Sequence, residues 1–180
     1  IIAGVKNAEI AANVEETVNE PLISKNLKGS KVKKAAEGIY GSIEWTLKNG
    51  LKVVVLPTEY KKDQVIMNLK FDGGKTLVSD EEIVSLEDNI WSVYLNNTGI
   101  SKFPATVLSK MLAGKNVSMN PYIGGTQHGI SGQCAPKDLE TALQIMYLYV
   151  ADPRFDQKEY DAGVQQIQAL LPNILSNQNI

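Results

Sequence analysis

Apolar and polar residues begin to alternate in the second quarter of the chain. Ile43, Trp45 and Leu47 are separated by Glu44 and Thr46, the period-2 pattern of a strand with one buried face. Asn49-Gly50 follows, the strongest short hairpin signal, because both residues tolerate the positive φ of a type I′ turn. Leu51-Lys52-Val53-Val54-Val55-Leu56 is the expected partner strand, and Pro57 ends it. Val65, Met67, Leu69 and Phe71 alternate again, so a third strand runs into Gly73-Gly74.

The period then lengthens. Ser79-Asp80-Glu81-Glu82 reads as a capping box, in which the Ser79 hydroxyl accepts from the Glu82 backbone N–H and the Glu82 carboxylate reaches back. Ile83, Leu86, Ile90 and Tyr94 keep helical spacing behind it until Asn97-Thr98-Gly99 stops the helix. Pro104 opens a shorter helix carrying Val107, Leu108, Met111 and Leu112, closed by Gly114. Val117, Met119 and Tyr122 fall on a further strand, which Pro121 interrupts. His128, Ile130, Gly132 and Cys134 share one face of the next. Pro136 begins a helix with Leu139, Leu143, Met146 and Val150 on one stripe, ended by Asp152-Pro153. Asp156-Gln157-Lys158-Glu159 is a second capping box, and Pro172 should kink or divide the last helix, which holds Tyr160, Val164, Ile167 and Leu171. The order βββ-αα-ββ-αα predicts an α+β fold, a mainly antiparallel sheet with helices packed on one face, rather than a doubly wound parallel sheet.

Upstream the pattern is thinner. Residues 1–20 carry a weak helical pattern (Ala8, Ile10, Ala11, Val14, Val18) closed by Pro21. Residues 25–34 then hold five lysines and no acid, so 21–38 reads as a solvated linker; a basic patch that binds a partner is the sharper alternative. Residues 1–38 are thus expected to be a connector, partly helical and then basic, and residues 39–180 a single α+β unit. The opening Ile1-Ile2-Ala3-Gly4, without an initiator Met, reads as an excerpt from something longer.

Composition narrows the chemistry. Hydrophobic residues make up 43% and charged residues 21% of the 180 positions, ordinary globular values. The net charge of −2 gives no bulk attraction to nucleic acid or anionic membrane, and no apolar run approaches the ~18 residues of a membrane helix. One Cys excludes an internal disulfide and a Cys-rich zinc finger; one His excludes any two-His metal site within the chain. Gly73-Gly74-Lys75-Thr76 looks like the end of a phosphate-binding loop, but Leu69 stands where the first Gly belongs, so a strand-to-helix turn is the better reading. Asp80, Glu81, Glu82, Glu87 and Asp88 lack the interleaved, Gly-centred spacing of a calcium loop and suit a helix N-terminus. His128 and Cys134 lie about 20 Å apart along an extended strand, too far for a nucleophile pair. The Gly-rich run 121–132 suits a hairpin tip, or a place where another backbone approaches closely.

From about residue 41 to about 177 the chain resembles one repeat of the pitrilysin/insulinase-type, inverted-zinc-motif metallopeptidases. The resemblance rests on Glu44-Trp45-Thr46-Leu47-Lys48-Asn49-Gly50 running into Leu51–Thr58, and on Phe71-Asp72-Gly73-Gly74. It extends to residues 108–118, to Gly129-Ile130-Ser131-Gly132 and to the stretch from Pro136 to Gln144. It implies a pitrilysin/LuxS-metalloenzyme-like fold, repeated in a parent whose halves enclose a peptide-degrading chamber. Active repeats carry H-x-x-E-H, two His and a Glu on one helix face holding zinc and activating its water. Here the corresponding helix, roughly 80–98, has no His, and the register places Ile90, Val93 and Tyr94 at those positions. The resemblance therefore implies no catalytic, metal-binding or cofactor-binding residue in this segment, with zinc expected in a catalytic domain of the parent. The expected role is a non-catalytic repeat from the later half of a bacterial metalloendopeptidase, forming chamber wall and contacting the catalytic half of the same polypeptide. A peptide substrate could lie along a sheet edge; neither nucleic acid nor a membrane span is expected. The alternative is a structural or binding domain of a processing-peptidase or respiratory-core-like protein with no active half, which the presence or absence of H-x-x-E-H upstream distinguishes. Analogy with exported bacterial members points to the periplasm.

Overall fold

A computed structural model of the chain describes residues 20–86, 94 and 98–175. In chain order the elements are β1 (Val32–Glu37), β2 (Ile43–Leu47), β3 (Lys52–Val55), β4 (Val65–Asp72), α1 (Asp80–Leu86), α2 (Ala105–Met111), β5 (Val117–Ile123), β6 (Gln127–Cys134), α3 (Leu139–Ala151) and α4 (Gln157–Leu175). The strands form two antiparallel three-stranded sheets, ordered β1-β2-β3 and β4-β6-β5. The α+β class and the antiparallel pairing expected from sequence hold. One strand is added, and the single expected sheet is two.

The added strand lies in the stretch read as a solvated linker. Val32–Glu37 pairs with β2, although none of its side chains is buried. Leu22 and Ile23, from the same stretch, pack against the hydrophobic core. The β2–β3 hairpin forms with a different turn from the one expected. Gly50 is at φ 92, but Asn49 is not among the residues at positive φ. The Leu47 N–H donates to the Leu51 carbonyl (2.8 Å), which closes a three-residue Lys48-Asn49-Gly50 loop with its left-handed residue last.

The core lies between the second sheet and α3. Pairing aligns Val65, Met67 and Leu69 of β4 with Cys134, Gly132 and Ile130 of β6, and these with Val117, Met119 and Pro121 of β5. That face meets Ala142, Ile145 and Leu148 of α3, with Ile100 completing the buried cluster. The stripe expected to face inward on α3 does not. Leu139, Leu143 and Val150 are 37%, 49% and 52% exposed; of that set only Met146 packs on the core. The helix is apolar on two sides, and period alone cannot say which one meets the sheet.

Two prolines stay inside continuous elements. Pro121 stays within β5, because β5 is an edge strand and an edge tolerates a missing donor. Helix α4 runs through Pro172 undivided. The helical pattern expected in 1–20 lies outside the described residues up to position 19.

Candidate functional site

The helix that would carry a zinc motif starts as the sequence predicts. The Ser79 backbone N–H and hydroxyl donate to Glu82 Oε2 (3.1 and 3.0 Å), and the Glu82 N–H donates to Ser79 Oγ (3.3 Å). These bonds, the backbone one first, hold the Glu82 carboxyl below its ordinary range. A carboxylate depressed in the folded state adds stability that is complete above its unfolded pKa and is lost as pH falls through the folded value. The stability advantage of the unsubstituted chain over Glu82→Gln should therefore be complete above the ordinary Glu range and fade as pH falls below it, read from urea midpoints on both sides of that range.

Of the three motif-register positions, Ile90 and Val93 lie outside the described residues, as do Glu87 and Asp88. Tyr94 is described, and it works as a strap. Its hydroxyl donates to the Asp156 carbonyl (3.2 Å) and accepts from the Asp156 N–H (3.0 Å), while its ring meets Tyr160 edge-on at 5.5 Å. This modifies the second capping box. Asp156 Oδ1 caps α4 as expected, accepting from Lys158 N and Glu159 N (both 3.1 Å). The Glu159 carboxylate does not reach back. It takes a bidentate bond from Arg154, 3.0 Å to Nε and 2.8 Å to a terminal nitrogen, because a charged fork outcompetes a single backbone N–H. Those Glu159 bonds, opposed in part by desolvation and joined by the charges of Glu159 and Asp156, push the guanidinium further up from its usual value. Sequence reading missed Arg154 altogether; its only signal is an Arg two residues before the cap of a helix that has Glu in its first turn.

The Gly73-Gly74 turn has no N–H left to cradle a phosphate. Gly73 N donates to Thr126 O (2.7 Å), Lys75 N to Gly124 O (2.9 Å) and Thr76 N to Gly73 O (3.1 Å). Gly74 N donates to His128 Nδ1 (3.2 Å). Gly74 sits at φ 56 against the β5–β6 tip, where any Cβ would overlap the Gly124 carbonyl. The turn is a clasp between β4 and that tip. The close backbone approach expected for the Gly-rich run is real, and the approaching backbone belongs to this chain.

His128 and Cys134 occupy opposite ends of one face of β6. Cys134 is 2% exposed within the core, and burial, then the charge of Asp138, pushes its thiol up. His128 stacks on Phe71, centroids 5.4 Å apart. Its bond from Gly74 makes Nδ1 the acceptor and leaves the hydrogen on Nε2. A cavity of about 370 Å³ opens beside it, lined also by Pro121, Ile123, Tyr149 and Val150. Burial raises the Tyr149 phenol. Largely apolar walls with one imidazole and two phenols, those of Tyr122 and Tyr149, can seat an apolar group; they offer no carboxylate and no second imidazole. Among the described residues no group of three or more His, Cys, Asp or Glu could hold a metal ion. No helix among them is long and apolar enough to cross a membrane.

No protein-family model matches the chain, and no curated protein sequence does. Solved structures do. The periplasmic protease PqqL from Escherichia coli superposes with a TM-score of 0.75 at 15% identity, over 93% of this chain and 19% of its own. The ferredoxin protease FusC, solved as a point mutant in complex with Arabidopsis ferredoxin, gives 0.67 at 17% identity, over the same 93% and 19%. The chain thus spans about a fifth of the length of either protease. At these identities the likeness is one of fold, and that fold is the pitrilysin-like α+β arrangement implied by the sequence resemblance.

Proposed function

We propose that this chain is a non-catalytic domain of a zinc-dependent metalloendopeptidase, part of the wall of a peptide-degrading chamber and packed against the catalytic half of the same polypeptide. The observation that carries the reading is the likeness in fold, over 93% of the chain, to two proteases about five times its length. The sequence resemblance to the inverted-zinc-motif metallopeptidases points the same way. In this reading zinc belongs to another domain of the parent, and the single His of this chain agrees with that.

A second observation supports a role inside a larger body. Leu139, Leu143, Tyr147 and Val150 run along the outer side of α3, each between 37% and 52% exposed. A row of large apolar residues at helical spacing, opposite the face that already packs on the core, suits contact with another domain. Residues 1–38 then act as the connector, with Leu22, Ile23 and β1 laid against the repeat formed by 39–180.

Metal analysis of the purified chain after dialysis tests the proposal, alongside a peptidase assay. Substoichiometric zinc and no cleavage are expected. One tightly held zinc per chain, or cleavage by the chain alone, would overturn it.

A further inference from the structure

The lysine-rich stretch acquires a shape in the structure. Residues 21–62 hold nine lysines against Glu37, Glu44 and Glu59, in a chain whose net charge is −2. The structure places Lys33, Lys34 and Lys52 in one sheet, with Lys31 and Lys48 in the loops beside it. Lys34 stands opposite Thr46 and Thr46 opposite Lys52, so two lysines flank one threonine across three strands. Lys31 and Lys48 meet where the Lys48 N–H donates to the Lys31 carbonyl (2.9 Å). All of these lysines are exposed. Among the described residues the ion pairs involve Lys102 and Arg154 and none of the lysines of this sheet. Strand β1 is also an edge, bonded only to β2.

We propose that this sheet captures acidic polypeptide segments, laid in extended form along the outer edge of β1. The inference rests on the reading of the chain as part of a peptide-degrading protein and adds the class of substrate. Charge complementarity selects the acidic occupant, because five lysines outnumber Glu37 and Glu44 here and their excess attracts carboxylates over roughly one Debye length, about 8–10 Å. The free edge selects an extended one, since unpaired backbone groups take up an added strand. Edge lysines also discourage self-pairing between like sheets; one or two serve that purpose, whereas here they stand on both outer strands and in the adjoining loops, five against Glu37 and Glu44. A permanently docked neighbouring domain fits less well. Stable interfaces are poor in Lys and Ala, and β1 reads Val-Lys-Lys-Ala-Ala-Glu.

Fluorescence anisotropy on the 180-residue chain tests this, using a labelled Glu/Ser decapeptide and its Gln/Ser and Lys/Ser counterparts. The acidic peptide should bind at least about tenfold more tightly than the neutral one at low salt, and most of that preference should vanish near 0.5 M salt, where the Debye length is only a few ångströms. Lys31→Gln/Lys33→Gln/Lys34→Gln should abolish the preference; Lys110→Gln/Lys115→Gln/Lys158→Gln, equal in charge change and elsewhere on the chain, should keep it. Circular dichroism checks that both triple variants fold. An acidic peptide with proline at every second position should bind more weakly, for want of backbone donors. Equal binding of the three peptides, equal loss in both triple variants, undiminished binding of the proline peptide, or equal affinity for single-stranded RNA of matched charge would each overturn the proposal. Zinc content and peptidase activity are read separately, so failure here is distinct from failure of the domain assignment.

Discussion

Gly129→Ala should cost about 3 kcal/mol or more of folding stability, the upper end of what overpacking does. Gly129 is on β6, the central strand of its sheet, opposite Lys70 of β4 and Tyr122 of β5. A Cβ there would overlap the Leu69 carbonyl oxygen and come within 3.2 Å of the Tyr122 hydroxyl. Tyr122 has little freedom to retreat, because its hydroxyl is bonded to Asn68 Oδ1 across the sheet (3.2 Å). The carbonyl is backbone in a paired strand, so relief requires breaking the β4–β6 ladder. Gly125→Ala is the control: its added Cβ meets nothing within 4 Å, and it should shift stability by no more than ~0.5 kcal/mol. Urea midpoints of the two variants decide; a Gly129→Ala variant as stable as Gly125→Ala would mean that β4 and β6 do not approach as described.

The second large effect is at Ile145. Its side chain is 3% exposed, between Ala142 and Leu148 on the face of α3 that meets the sheet. Ile145→Ala removes buried carbon and leaves a void that the surrounding strands close only in part, for a loss of about 2–5 kcal/mol. Leu143→Ala, on the 49% exposed side of the same helix, should cost less than about 1 kcal/mol in the isolated chain. The pair reads out helix orientation, because the stripe Leu139-Leu143-Met146-Val150 favoured by periodicity predicts the opposite ranking. Thermal or urea denaturation of both variants settles which side meets the sheet.

What could be read from the sequence followed from how local each signal is. The Ser79–Glu82 box spans three residues, and its bonds form as the motif requires. Strand β4 alternates cleanly because one of its faces packs against the core cluster and the other does not. Strand β1 gave no such signal: with all six residues exposed, no burial pattern exists to imprint alternation on the sequence. The facing of α3 was ambiguous for the opposite reason, too many apolar residues instead of too few. The Tyr94 strap joins residues 62 apart in sequence, a separation at which no spacing rule operates.

The β4–β6–β5 sheet also sets an order in time. β5 and β6 are joined by a short tip, so their pairing is a local event available on the microsecond scale of hairpins. β4 joins them only across a long intervening stretch, Asn68 and Tyr122 being 54 positions apart. The entropy of closing that loop falls on a single step, the docking of β4. Until it docks, Ile130 and Met119 face α3 with one flank open, and the Gly73-Gly74 clasp has nothing to hold. Within this sheet the largest loop-closure cost and the last flank of the core to be covered therefore fall to the same strand.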